Sequence, residues 1–359
     1  MKILLLSAYD AGSHRRFRAG LEAAFPDLSF TVVALPPRHY AWRAAGNALT
    51  FAARIPAVAY DRILACGPVD LASLRGLRPD LARVRTLLYL HENEFAYPAN
   101  PREQGRVDRQ LRLILALRAA DRVAVNSQFN AATLLAGIEA LFAALPDGIP
   151  ADTLASIAAR IEVLPVPLED RLFAPRTAPR AAGPLTLVWN HRWEWDKGPD
   201  RLVPLVDALH EAGVAFRLHL LGERFRARPA AFDVLEARLP PGHAARGTFG
   251  TVEDRGAYEA LLRASDVVLS TALHEFQGLS VLEAVASGCV PCVPDRLAYP
   301  EWIPAACRAP SHPDDPLADG RALAERLLQL RAAATPAPDL GALAWTRRRP
   351  DWARVLDVA

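Results

Sequence analysis

Glu275 and Glu283 stand eight positions apart in STALHEFQGLSVLEAVASG, residues 270–288. The residues between them include Gly278, turn chemistry that separates a strand end from a helix starting near Gly278 to Leu279. This places Glu275 in the loop at the carboxyl end of strand VVLST and Glu283 about one turn into the helix, both facing one cleft. The first helical turn offers unpaired amides and partial positive charge, which favour an anion. Two carboxylates beside a bound phosphate suit recognition of neutral hydroxyls. The plainer structural reading makes Glu275 a helix cap and Glu283 part of a solvated face.

A second stretch, LVWNHRWEWDKGP at 187–199, runs a short apolar strand into Arg192 and Lys197. Arginine supplies every basic residue of the chain except Lys2 and Lys197. A lysine is a compact point charge and an arginine a planar fork, so together they resemble a clamp for a diphosphate. A third stretch, TLLYLHENEF, sets His91, Glu92, Asn93 and Glu94 directly after a buried strand. Doubly wound sheets place their ligands beyond the carboxyl ends of the strands.

These residues need a scaffold, and 359 residues exceed what one hydrophobic core usually serves. Half of the residues are hydrophobic, enough for two sizeable cores. The longest apolar runs fall short of a membrane span, and the start lacks the features of a signal peptide, so a cytoplasmic enzyme without membrane attachment is expected. Of the four cysteines, Cys289 and Cys292 form a CVPC spacing, but no second pair completes a zinc site, and the run reads as a buried strand. Residues 1–180 hold 22 Lys plus Arg against 17 Asp plus Glu, while 181–359 hold 20 against 23. The basic bias of the first half permits a polyanionic partner without requiring one.

In chain order, KILLLSA reads as a buried parallel strand, YDAGSH as a loop, and HRRFRAGLEAAF as a helix. That is the first half of a βαβ unit, without the GxGxxG fingerprint of a dinucleotide site. Gly12 is read as letting backbone approach a ligand and Ser13 as the helix N-cap. SFTVVAL is a second strand. In the helical stretch that follows, Tyr40 and Trp42 are expected to pack in the core, with an acceptor groove as the alternative. RILACG, TLLYL, RVAV and IEVLPVPLE continue the strands, with helices over 105–120 and 129–145. RTAPRAAGP reads as a linker. From LTLVWNHRW the pattern restarts: helix 199–212, strand FRLHLLG, helix 229–239, strand GTFG, helix 255–264, strand VVLST, helix 279–287, strand CVPCVP. The expected organisation is an α/β chain of two Rossmann-like domains, doubly wound parallel sheets facing a cleft. The first domain spans 1–175 and the second 184–335, with a tail over 336–359 that is free to fold back on the first domain.

The paired α/β domains, the Arg192–Lys197 clamp and the E-x7-E of Glu275 and Glu283 resemble the retaining family 4 glycosyltransferases of GT-B fold. More narrowly, SAYDAGSH, YLHENEFAYP, VNSQFN, WNHRWEWDKGP, LGERF and STALHEFQGLSVLEA are similar, in order, to the motifs of the tRNA-queuosine alpha-mannosyltransferase family, the glycosyltransferase-like domain-containing 1 proteins. The likeness runs nearly from the start to about Pro304. It departs at Glu94, where the family often has glutamine, and at Ala11, where it has glycine.

The resemblance implies transfer of mannose from GDP-mannose to the cyclopentene-diol of queuosine in tRNA-Asp, with retention at the anomeric carbon and no metal or other cofactor. It implies that Arg192 and Lys197 hold the diphosphate, Glu275 the sugar hydroxyls and Glu283 the ribose, with His91 near the sugar. Gly12, Asn190, Gly222, Glu223, Phe276, Gly278, Leu279 and Ser280 would complete the donor site. Ser13, His14, Glu92, Asn93, Glu94 and Tyr97 would face the acceptor. The partners implied are a nucleotide sugar and a queuosine-bearing tRNA, with no obligate protein partner. A lipid or polysaccharide acceptor would keep the second-domain motifs, but the first domain lacks the basic amphipathic helix suited to a membrane surface. A protein that only bound nucleotide or tRNA would need the clamp without turnover.

Overall fold

The computed structural model describes residues 1–97, 106–150, 152–175, 183–224 and 228–358. The chain divides into two compact units, Met1–Pro167 with Trp345–Ala359, and Leu168–Ala344. The boundaries differ from the expected 175, 184 and 335: the first unit gives way at Pro167, and the segment before Trp345 remains with the second. Residues 176–182 of the linker RTAPRAAGP lie outside the described residues, as do Pro98 of HENEFAYP, Phe225 of LGERF and residue 105 of the helix expected over 105–120.

In the first unit, strands β1 (Lys2–Ser7), β2 (Ser29–Ala34), β3 (Arg62–Cys66), β4 (Thr86–Leu90), β5 (Arg122–Val125) and β6 (Ile161–Val163) form one sheet in the order β2-β1-β3-β4-β5-β6. Every pairing is parallel. The apolar runs read from the sequence are buried on both faces: Ile3, Leu4, Leu5 and Leu6 are almost wholly inaccessible, as a parallel sheet covered by helices requires. Helices α1 (Gly12–Ala24), α2 (Tyr40–Arg54), α3 (Leu71–Leu77), α4 (Arg106–Ala119), α5 (Gln128–Ala144) and α6 (Asp152–Ala158) make the crossovers. Asp70 caps α3 by accepting from the Ser73 amide at 3.1 Å, and Ser127 caps α5 by accepting from Asn130 at 3.0 Å. The strand order reverses direction between β1 and β3, which is where open α/β sheets hold ligands.

The second unit repeats the plan with β7 (Leu185–Asn190), β8 (Phe216–Leu221), β9 (Arg246–Gly250), β10 (Val267–Leu269), β11 (Val290–Pro294) and β12 (Arg308–Ala309). Their order is β12-β11-β10-β7-β8-β9, again parallel, with the reversal between β7 and β10. Helices α7 (Leu202–Glu211), α8 (Ala231–Arg238), α9 (Arg255–Ala264), α10 (Leu279–Ala286), α11 (Tyr299–Trp302) and α12 (Pro316–Ala332) flank it. Cys289 and Cys292 are buried free thiols whose sulfurs point at the carbonyls of Leu262 and Leu323, so the CVPC run is core strand.

The chain returns to the first unit as α13 (Trp345–Val355). Trp352 is fully buried there, its ring 5.0 Å from both Phe17 and Tyr89. Asp357 then pairs with Arg122, Arg85 and Arg62 at 3.1, 3.4 and 3.5 Å, at the amino ends of β5, β4 and β3. Asp357 therefore lies at the end of the first sheet opposite the carboxyl ends of its strands. Among the described residues no helix is long and apolar enough to cross a membrane.

Candidate active site

In the second unit the sequence-predicted residues converge on the strand reversal. Asn190 ends β7, and its side-chain amide donates to the Ser280 carbonyl at 2.7 Å and to the Tyr258 hydroxyl at 3.0 Å. The loop after β7 then closes into a short 3-10 turn, Trp195–Lys197, which carries Lys197 inward to 7% exposure. Its Nζ donates to the carbonyl of His274 at 2.7 Å and lies 3.3 Å from both Glu275 Oε2 and Asp196 Oδ2. Burial opposes the ammonium, but Glu275 and Asp196 outweigh it, so the Lys197 pKa sits above its ordinary value. Burial likewise opposes the Glu275 carboxylate, and Lys197, with His191 and His274, reverses that and holds its pKa low. Both groups are therefore charged at neutral pH.

Arg192 stays half-exposed on the same loop and pairs with Glu194 at 3.0 Å, close enough for its charge to press on that of Lys197. The expected pair of cations is thus a buried lysine tied to two acids with an exposed arginine beside it. Sequence reasoning could not show Lys197 enclosed by Asp196 and Glu275.

Glu283 lies in α10 as expected, but it does not face solvent. Its carboxylate accepts from Arg255 at 3.3 and 3.4 Å and from the Tyr258 hydroxyl at 3.3 Å. Arg255 also reaches Glu259 at 2.9 Å. Arg255, Tyr258, Asp196, His191 and His274 were not read from the sequence. His191 and His274 stand beside predicted residues, which was a usable signal, while Arg255 and Tyr258 come from α9 with no pattern to join them to α10.

Gly278 is the N-cap of α10 at φ +81°, and a Cβ there would stand 2.9 Å from the Tyr299 ring. The helix thus starts in a left-handed conformation, without the side-chain cap that the structural reading gave to Glu275. Gly222, at φ +139° after β8, would place a Cβ 1.9 Å from the His191 carbonyl, so only glycine lets the two loops touch. The Glu223 carbonyl accepts from the Trp193 amide at 3.0 Å while its side chain is exposed. Phe276 is buried against His274, Leu279 is partly buried in the first turn of α10, and the Ser280 hydroxyl lies 3.3 Å from His191 Nδ1.

The His191 Nε2 is buried with no hydrogen-bond partner, and burial pushes the imidazole pKa down to about 4. An unfolded histidine takes up a proton near 6.5, so between that value and about 4 the unfolded chain binds a proton that the folded one refuses. Stability therefore falls with falling pH, by up to about 1.4 kcal/mol per unit from this residue. Unfolding titrations of the wild type and His191→Gln between pH 4 and 7 should show the shallower slope in the variant; equal slopes would remove His191 as the cause.

In the first unit, His91 follows β4 and is buried, stacked on His14 at 4.2 Å. Burial, and then His14, hold its pKa well below the histidine range, so the ring is neutral, and its Nε2 has no hydrogen-bond partner. The His14 Nδ1 donates to the Tyr9 carbonyl at 2.7 Å. The Ser13 expectation fails: α1 begins at Gly12, its N-cap is Ala11 without a side-chain bond, and Ser13 sits inside the first turn. Gly12 faces open space, and neither its conformation nor its neighbours demand glycine.

Asn93 is fully engaged inside the unit, donating to Asn130 Oδ1 at 2.8 Å and accepting from the amides of Phe95 and Ala96. It shapes the loop and its polar atoms are already used. Glu92 accepts from the Tyr97 hydroxyl at 2.5 Å. Glu94 accepts from the Tyr40 hydroxyl and from Arg109 at 3.0 Å, yet burial still raises its pKa. Tyr40, Gly67, Asp70, Glu92, Glu94 and Arg109 line a pocket with an empty volume of about 480 Å³ over the carboxyl ends of β3 and β4. Trp42, expected in the core, is instead 59% exposed. Among the described residues no group of three His, Cys, Asp or Glu is placed to hold a metal ion.

A family model described as the tRNA-queuosine alpha-mannosyltransferase N-terminal matches residues 2–168. A tRNA-queuosine alpha-mannosyltransferase of Drosophila melanogaster is 35% identical over 311 residues, 84% of this chain and 81% of that protein. Among solved structures, a sucrose-phosphate synthase from Thermosynechococcus elongatus superposes with a TM-score of 0.69 at 16% identity, covering 99% of this chain and 98% of that one. Anabaena HepE in complex with UDP and glucose gives a TM-score of 0.67 at 16% identity, covering 99% of each chain. At such identity the likeness establishes the fold, which is GT-B. The extent of the Drosophila match establishes more: the chain is a glycosyltransferase and belongs to the tRNA-queuosine alpha-mannosyltransferase family.

Proposed function

We infer that the protein transfers mannose from GDP-mannose to a hydroxyl of the cyclopentene-diol of queuosine in tRNA-Asp, with retention and without a metal ion. The observation that carries the reading is Lys197, a buried cation fixed at the β7–β10 reversal and kept protonated by Glu275 and Asp196. In the reaction the bond from the anomeric carbon to the β-phosphate oxygen breaks, its electron pair leaving with GDP. The acceptor oxygen bonds to the same face of that carbon, and its proton passes to the departing phosphate. Negative charge grows on the diphosphate, and a preorganised cation in a buried site is the strongest means of stabilising it. Lys197 and Arg192 supply that charge where other enzymes use a metal. No paired acid and nucleophile at glycosidase spacing is needed.

Glu275 accepts from the sugar hydroxyls and Glu283 from the ribose, with Asn190, Gly222, Glu223, Phe276, Gly278, Leu279 and Ser280 shaping the donor site. On the first unit, His91 and Gly12 serve the sugar, and Ser13, His14, Glu92, Glu94 and Tyr97 serve the acceptor. A neutral His91 donates or accepts a hydrogen bond without adding charge near the anomeric carbon. The test is incubation of the purified protein with GDP-mannose and queuosine-containing tRNA, followed by nucleoside mass analysis. A gain of one hexose on queuosine, absent from tRNA carrying guanosine, is expected. Release of GDP with no gain on queuosine would keep the donor chemistry and reject the acceptor.

A further inference from the structure

Residues 11–54 carry six arginines against two acids, Glu22 and Asp27. Arg18 is taken up by Asp10 at 3.2 Å and Glu22 at 3.6 Å. Among the described residues, Arg15, Arg38 and Arg43 have no ion-pair partner, and the buried Nε of Arg43 has no acceptor. These charges gather at the carboxyl ends of the neighbouring strands β1 and β2: Arg15 is in the first turn of α1, and Arg38 and Arg43 bracket the start of α2. Tyr9, from the loop after β1, packs edge-on against Tyr40 at 5.3 Å and fixes the two segments to each other.

Helix α2 has two distinct faces. Tyr40 and Ala44 turn toward the pocket that holds Glu92 and Glu94. The adjoining face carries Trp42, 59% exposed, with Leu49 also exposed two turns on. A Cβ on Gly46 would stand 3.3 Å from the indole, so the ring lies flat along the helix in the space the glycine leaves. A glycine inside a helix costs stability relative to alanine, and here it keeps one face of the indole covered and the other open. An open aromatic face beside unpaired guanidinium groups matches single-stranded nucleic acid, in which bases stack on aromatics and phosphates take the cations.

We propose that the α1–α2 edge of the first unit docks the RNA of the acceptor, an unpaired base stacking on Trp42 and flanking phosphates held by Arg15, Arg38 and Arg43. The proposal rests on the reading of a tRNA acceptor and adds the surface that would seize it. None of these four residues belongs to the donor or acceptor pockets described above.

The experiment measures tRNA binding by fluorescence anisotropy across a salt series for the wild type, Trp42→Ala and the Arg38→Gln/Arg43→Gln pair, with queuosine-containing and guanosine-containing tRNA. Loss of one stacked base should weaken binding about 5- to 150-fold. Loss of two phosphate contacts should flatten the slope of log K against log salt by about 1.4 to 1.8. Melting temperature and GDP-mannose affinity should not move. Undiminished tRNA binding by both variants would overturn the surface, whatever the acceptor proves to be. A Trp42→Ala change that turns a dimer into a monomer while leaving tRNA binding intact would assign the face to a second copy of the chain and overturn it too. Binding that depends on Trp42 and the arginines, without hexose transfer to queuosine, would uphold the surface and reject the acceptor reading alone.

Discussion

Lys197→Ala lowers turnover by about 10²–10³, the usual cost of deleting one preorganised group that stabilises charge in the transition state. The substitution also destabilises the second unit, because Glu275 and Asp196 lose the cation that lies 3.3 Å from each. Breaking a buried pair by removing one partner costs about 3–5 kcal/mol, and the partial exposure of Glu275 puts the expected cost at the lower end. The two effects separate with pH. In the wild type the Glu275 pKa is depressed, so its contribution is present above the ordinary carboxylate value near 4.5 and lost as pH falls through the folded value. Without Lys197 the main opposition to burial is gone and the Glu275 pKa rises. Its contribution is then largest at low pH and is lost as pH rises. The melting temperature of Lys197→Ala relative to wild type should therefore recover as pH is lowered toward 5, with turnover still lowered by the same factor. A folded variant, assayed below its melting temperature, that retained near-normal kcat would remove Lys197 from the chemistry.

How far the sequence reached can be traced on individual elements. The strands were legible because a parallel sheet buried on both faces leaves continuous apolar runs, as in KILLLS and TLLYL. The start of α10 was legible because Gly278 sits where the apolar pattern changes period. Helix α3 went unread: LASLRGL is seven residues with a glycine inside, too short for periodicity to register. Helix α13 went unread because TRRRPDWAR is mostly charged and contains Pro350, yet Trp345 and Trp352 find Phe17 and Tyr89 far back in the sequence. Ser13 was misplaced by two residues, since capping preference says nothing when the backbone turns into helix at Ala11. Trp42 was misread because a helical aromatic is core or surface according to what the fold brings against it.

The same distinction governs the site. Residue types named Lys197, Glu275 and Glu283, but their partners Asp196, His274 and Arg255 depend on three-dimensional pairing. Arg255 and Glu283 are 28 residues apart on two helices, and only the packing of α9 beside α10 makes them a pair.

That pairing shapes the expected result for Glu283→Gln. On the proposed reading the Glu283 carboxylate accepts hydrogen bonds from the ribose of the donor, and hydrogen bonds to a charged group are worth about 1.5–3 kcal/mol, or about 10- to 150-fold in affinity. The KM for the donor should rise and the affinity for GDP fall by that factor, with kcat changing less, because the ribose lies away from the breaking bond and is held alike in ground and transition states. Stability should change little. Arg255 loses one anionic partner but keeps Glu259 at 2.9 Å, and a glutamine still offers Tyr258 and Arg255 an acceptor oxygen. Arg255→Met tests whether orientation matters as well as charge. It leaves the carboxylate in place but removes the two bonds that aim it, and should weaken the donor by a smaller factor in the same direction. If Glu283→Gln instead collapses the melting temperature while a saturating donor still turns over with unaltered KM at low temperature, the carboxylate is a brace between α9 and α10 and some other group holds the ribose.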